Sequence, residues 1–168
     1  MHITIERARP DEAKDVLAFL AQVGAETDNL TFGEEGPPFS EEQERAYLES
    51  MMNCLQGAFF LAKRDGRILG CASYNGMASK RMGHRGSVSF AVLKSEWGKG
   101  VGGMLMEHIL DFARNTAGAE VISLEVRCDN QRAIRLYEKY GFEKIGRFKG
   151  FFKIDGEYVD FDLMNLYL

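Results

Sequence analysis

The sequence has no cysteine pairing, no basic excess and no long apolar run, and each absence removes a class of function. Its three cysteines, Cys54, Cys71 and Cys128, are odd in number, widely spaced and part of no CxxC pair, so neither a disulfide framework nor a zinc cluster is indicated. A reducing cytoplasm is the expected compartment. His2, His84 and His108 lack metal-like spacing, and no metal is expected. Lys plus Arg number 21 against 25 for Asp plus Glu, a formal charge of -4. A nucleic-acid platform carries a basic excess, so nucleic acid is not an expected partner, whereas a cationic substrate meets no global repulsion. No run approaches ~18 apolar residues, and the opening MHITIERARPDEAKD is charged where a signal peptide needs an apolar stretch. Neither membrane insertion nor secretion is expected.

What is present is 168 residues with 45% apolar and 27% charged side chains, the composition of one globular domain over 1–168. A chain of this length buries roughly 70% of its unfolded surface and needs no staples. HITIERA alternates like a strand, and DEAKDVLAFLAQVG places Val16, Leu17, Leu20 and Val23 at helical spacing. Residues 24–39 mix glycine, proline and acids and read as a surface loop long enough to bind something. Within it Asp28, Glu34 and Glu35 either receive a cationic amine or are simply solvated. Ser40 and Gln43 have capping-box spacing for a second helix.

GAFFLAKR, a turn at Asp65 and Gly66, and RILGCASYNG read as a hairpin. GSVSFAVLK is a further strand, with Val88, Phe90 and Val92 on one face and Ser87, Ser89 and Ala91 on the other. After EWGKGVGG comes a helix with Val101, Met104, Leu105, Ile109 and Phe112 on one side, ending near Gly118. EVISLEVR opposes Ile122, Leu124 and Val126 to Ser123, Glu125 and Arg127. A helix from Asp129 or Asn130 carries the stripe Ala133, Leu136, Tyr137 and Tyr140, with Gly141 at its cap. A closing hairpin turns at Asp155 and Gly156. The sum is an α+β domain on a mixed sheet, antiparallel at both ends.

Gly98, Gly100, Gly102 and Gly103 lie between a β-branched strand and an amphipathic helix. Such a turn is either an ordinary tight connection or a phosphate cradle, in which unpaired helix N–H groups and the dipole favour an anion. The glycines satisfy GxGxxG, but the surrounding order is not that of a dinucleotide fold, and the acid expected to end the next strand is missing. A Walker A loop fails because Gly100 follows Lys99.

AVLKSEWGKGVGGMLMEHILDFA resembles motif A of the GNAT superfamily of N-acetyltransferases, and LEVRCDNQRAIRLYEKYGF resembles its motif B. Two motifs in order are far more specific than either alone. Trp97 stands where the family has Arg or Gln. An indole donates one N–H and no charge, so the pyrophosphate leans on Lys99 and the backbone. The resemblance implies a mixed, mostly antiparallel sheet of about seven strands flanked by about four helices. It also implies acetyl-coenzyme A, its pyrophosphate on Gly98, Lys99, Gly100, Val101, Gly102 and Gly103. The pantetheine arm is expected beside Phe90, Ala91 and Val92, with Asn130, Ala133 and Tyr137 completing the site. A splayed strand has unused N–H and C=O groups that pair with an amide-bearing arm and steady an oxyanion.

Glu125 occupies the position of a glutamate in the ribosomal-protein alanine acetyltransferases that motif B resembles, which implies a general base for the incoming amine. Alternation alone makes it a polar-face residue, in a cross-strand ion pair for instance. The resemblance makes Tyr137 the proton donor to the departing thiolate; its bland role is core packing. Asn130 caps a helix, contacts pantetheine, or does both. Cys128 is either an acetyl carrier or a small buried residue. The expected acceptor is a primary amine, a small amine or polyamine or a protein N-terminus, with the acidic balance favouring a small cation. A non-catalytic acyl-coenzyme A sensor is the alternative function, and a homodimer is left open.

Overall fold

The N-terminal alternation becomes β1 (Thr4–Arg7) in a computed structural model that describes residues 2–168. It is followed by α1 (Ala13–Glu26), α2 (Glu41–Met52), β2 (Gly57–Arg64), β3 (Arg67–Gly76) and β4 (Arg85–Val92). Then come α3 (Val101–Asn115), β5 (Val121–Arg127), α4 (Gln131–Lys139), β6 (Glu143–Ile154) and β7 (Glu157–Tyr167). The strands form one seven-stranded sheet in the order β1-β2-β3-β4-β5-β7-β6, antiparallel throughout except between β4 and β5. This is the α+β architecture expected from the sequence. No helix among the described residues is long and apolar enough to cross a membrane.

Local chemistry accounts for the boundaries. Asp65 and Gly66, and again Asp155 and Gly156, take successive positive φ values (50° and 79°, 50° and 83°), the turn whose twist matches a tight hairpin. At α2 the Ser40 hydroxyl accepts the Gln43 N–H while the Gln43 side chain accepts the Ser40 N–H at 2.9 Å, so the capping box is realised. One expectation shifts. Gly24, Ala25 and Glu26, assigned to the loop by composition, belong to α1. A Cβ on Gly24 would meet the Gly33 carbonyl oxygen at 2.0 Å, so glycine there admits the loop against the helix.

Buried charge ties the edges down. Lys63, 8% exposed, reaches Glu6 at 2.5 Å and also Glu12, joining β1 and the 3-10 turn Pro10–Glu12 to β2. At the far edge Asp162 of β7 accepts from Arg147 and Lys144 of β6. One face of the sheet packs on α3, where Phe112 meets Phe60 and Tyr74 edge-on. The other meets α2 through Tyr47 on Phe59.

The feature that positions the site is a break in the sheet. β4 and β5 pair only from Arg85 to Ser87 and from Val121 to Ser123. Beyond that the strands part, and the backbone groups of β4 that face β5 lose their ladder partners.

Candidate active site

Two cavities, of about 650 Å³ and about 260 Å³, meet at this break. They share Asn29, Leu30, Phe90, Ala91, Asn130 and Tyr137, which form the neck between them.

The smaller cavity is built on the glycine turn. Gly98 and Gly100 take φ values of 75° and 87°, and a Cβ on either would meet no atom within 4 Å, so the requirement is conformational. Gly102 and Gly103 serve packing: a Cβ there would lie 3.0 Å from Leu136 and 3.3 Å from the Tyr140 hydroxyl, both on the α4 side. α2 and α4 are capped by side chains, whereas the N-cap of α3 is Gly100, which offers none. Met104 is the first α3 residue whose N–H is satisfied within the helix, by Gly100 at 3.0 Å. The amides of Val101, Gly102 and Gly103, all lining the cavity, stand at the positive end of the helix as free donors. Val92 and Ala133 complete the wall.

Lys99, the cation expected here, does not line the cavity. Its ammonium turns toward Glu96 at 3.7 Å, and its side chain is 57% exposed. Glu96 draws it because that carboxylate, buried and held by Arg64, needs charge around it. The Trp97 indole N–H is likewise engaged, donating to the Val92 carbonyl at 2.9 Å. Arg132 of α4 supplies the charge: its guanidinium lies 3.3 Å from the Trp97 ring centre and lines the cavity. It has no ion pair among the described residues. Burial pulls its pKa below the usual guanidinium range.

Tyr137 stands in the neck, 9% exposed, its ring 6.0 Å from Phe90 and 5.9 Å from Phe142. Burial pushes its hydroxyl up to about 12, with Arg132 pulling in the opposite direction. The phenol therefore keeps its proton at neutral pH. Asn130 accepts the Ala133 N–H at 3.3 Å, capping α4, and lines both cavities, so its two expected roles are compatible.

The larger chamber is walled by aromatic side chains. Phe32 and Phe39 come from the loop, Phe59 from β2, and Phe151, Phe152 and Phe161 from the closing hairpin. A register break between Phe148 and Phe152 puts Phe151 and Phe152 against Phe161, at 4.4 and 4.5 Å. Glu125 lines this chamber from β5 and has no ion pair among the described residues. Arg127, its neighbour on the same face, is held by Asp129 through two contacts of 2.9 Å. The cross-strand ion pair that competed with a catalytic role for Glu125 is not formed.

The acids of the loop are elsewhere. Asp28 offers only its carbonyl, to Arg127 at 3.3 Å; Glu35 accepts the Gly33 N–H at 2.9 Å; Glu34 is exposed; none lines the chamber. The loop turns Leu30 and Phe32 toward the chamber and leaves its charges in water, because an unpaired carboxylate is costly to bury. Cys128 is half-buried, not buried, and lines neither cavity. Cys71 does line the chamber, but burial pushes its thiol up to about 12, so it is no thiolate nucleophile. His108 is exposed on α3, and no group of three or more metal-ligating side chains occurs among the described residues.

Residues 26–142 match the model of the acetyltransferase (GNAT) family. The chain belongs to the GNAT family. An N-alpha-acetyltransferase of Saccharolobus solfataricus is 44% identical over 46% of this GNAT chain and 44% of its own length. The L-amino acid N-acetyltransferase AaaT of Escherichia coli is 34% identical over 57% of this chain and 59% of its own. The matched segments thus span less than two thirds of either relative. A GNAT acetyltransferase structure from Streptococcus pneumoniae superposes with a TM-score of 0.95 at 27% identity, covering 99% of this chain and 100% of that one.

Two site residues of this GNAT chain escape a sequence reading. Arg132 is hidden because a motif gives no hint that α4 folds its cation over a tryptophan of another loop. Glu44 of α2, 4% exposed, lines the chamber without a hydrogen-bond partner among the described residues. A signal existed: Glu44, Tyr47, Leu48 and Met51 recur at helical spacing, which puts the acid on the inward face.

Proposed function

We propose that this GNAT chain transfers an acetyl group from acetyl-coenzyme A to the primary amine of a small acceptor, with both molecules bound together. The observation that carries the reading is the junction of the two cavities at Tyr137, inside the gap between β4 and β5. One cavity has the free amides and the unpartnered arginine that a diphosphate requires; the other is a chamber of small-molecule size. The chain's residues therefore fit the carrier.

The free amides of Val101, Gly102 and Gly103, with Arg132, hold the diphosphate. Phe90, Ala91 and Val92 flank the arm along the open edge of β4, and Asn130 and Ala133 border it from α4. The bound thioester supplies an activated acetyl group. Glu125 takes a proton from the acceptor ammonium, directly or through one water, so that the amine becomes nucleophilic. Tyr137, which keeps its proton at neutral pH, donates it to the thiolate that leaves. No covalent enzyme intermediate is needed, and the buried Cys71 thiol would be a poor nucleophile.

The test is thiol release from acetyl-coenzyme A against a panel of monoamines, diamines, amino acids and short peptides, followed by mass spectrometry of the product. Acetylated amine with stoichiometric thiol is the expected result. Tight binding of the carrier without thiol release across the panel would make the chain a sensor and overturn the reading.

A further inference from the structure

The larger chamber contains three formally charged side chains, Glu44, Glu125 and Arg127. Arg127 is engaged by Asp129, and Glu125 faces the acceptor from β5. Glu44 has no role yet. Only burial acts on it, holding its carboxyl above the ordinary range. The residue is only 4% exposed while its carboxylate opens on the chamber, and a charge so placed is best stabilised by a cation or several donors, which the described residues do not offer. Nothing in the packing of α2 calls for an acid at this position, since its neighbour on the inward face is the fully buried Leu48.

The placement of Glu44 says what would neutralise it. Its charge acts on Cys71 of β3 and on Tyr47 one turn further along α2. Glu125 lies on β5, with β4 between it and β3. β4 and β5 are already parted at that level. Both acids open on the same chamber, and on the sheet face between them β3 and β4 contribute Cys71, Ser73, Ser89 and Ala91.

We propose that Glu44 binds a second cationic nitrogen of the acceptor. The substrate is then a diamine-type molecule, with one amine directed to Glu125 at the neck and the other, still protonated, seated on Glu44. The proposal rests on the acetyl-transfer reading above. A short alkyl spacer suits the aromatic side chains that close the rest of the chamber. An α-amino acid suits the chamber less, because its carboxylate would face two acids and an arginine already paired to Asp129.

The experiment is calorimetric titration of diaminobutane and butylamine into the full chain with coenzyme A bound, in the wild type, Glu44→Gln and Glu44→Asp, together with kcat and KM for both amines. The wild type is expected to bind the diamine about 10-fold or more tightly than the monoamine, as a charge-assisted hydrogen bond implies. Glu44→Gln removes that preference, and Glu44→Asp keeps part of it. The melting temperature of Glu44→Gln stays at or above that of the wild type, because an unpartnered buried charge is gone. Equal affinity for the two amines in the wild type overturns the proposal, as does a preference that survives Glu44→Gln. A fall in melting temperature for Glu44→Gln overturns it too, since Glu44 is then structural. Diamine preference in binding with no thiol release supports the subsite and overturns the transfer reading alone.

Discussion

Arg132 lies flat against Trp97, its guanidinium 3.3 Å from the ring centre, while the indole N–H is spent on the Val92 carbonyl. The residue at the charged position of motif A is thus a platform, and the charge is delivered to it from α4. Cation–π stacking holds the guanidinium without neutralising it, so a free cation faces the smaller cavity.

Arg132→Ala is expected to raise the Kd for coenzyme A and the KM for acetyl-coenzyme A by about 10-fold or more, the worth of a charge-assisted hydrogen bond. Acetyl-pantetheine, which lacks the diphosphate, should be used equally well by both proteins. Lys99→Ala should change carrier affinity by about 2-fold or less, because that ammonium is exposed and engaged with Glu96. Calorimetry with each variant checks the order.

Tyr137→Phe should lower kcat by about 100-fold or more with little change in KM, as loss of a positioned proton donor does. Burial raises the phenol to about 12, so the wild type should show no alkaline loss of kcat from this group below that value. Glu125→Gln should lower turnover, as loss of a positioned proton acceptor does. Rates that stay unchanged across pH would remove Glu125 from the mechanism.

Gly100→Ala should cost about 1 to 2 kcal/mol of stability, because alanine pays for a left-handed φ. No clash contributes, since an added Cβ meets nothing within 4 Å. Thermal melting reads the loss. An unchanged melting temperature would mean that the turn adopts another conformation.

Asp162 sets an acid limit on the closing hairpin. Burial opposes its ionisation, but hydrogen bonds from Arg147 at 2.9 Å and Lys144 at 3.0 Å outweigh that and hold its carboxyl below the ordinary range. A depressed folded pKa stabilises fully above the unfolded value of about 3.9 and is lost as pH falls through the folded value. Asp162→Asn should therefore melt earlier than the wild type at neutral pH, by about 1 kcal/mol given its half-exposed partners. The two proteins should converge in acid. A constant difference across the pH series would place the effect in packing, not in charge.

The sequence is most informative where structure is local. The capping box at Ser40, the Asn130 cap, the two Asp-Gly turns and the face assignments of β4 and β5 are all decided within a few residues, and each is found in the fold. Side-chain destination is less legible. Asp28, Glu34 and Glu35 are as acidic as Glu44, yet desolvation keeps the first three at the surface while the amphipathic face of α2 carries the fourth inward.

By itself, then, the chain order of polar and apolar residues determined the strands, the helices, their caps and the glycine turn, because propensity, periodicity and capping act between near neighbours. Only the tertiary structure decided that β4 and β5 part after three residue pairs, that an arginine of α4 lies over Trp97, and that Glu44 faces the chamber without a partner among the described residues. Those outcomes depend on contacts between segments distant in sequence and on the cost of burying charge, which no local pattern encodes.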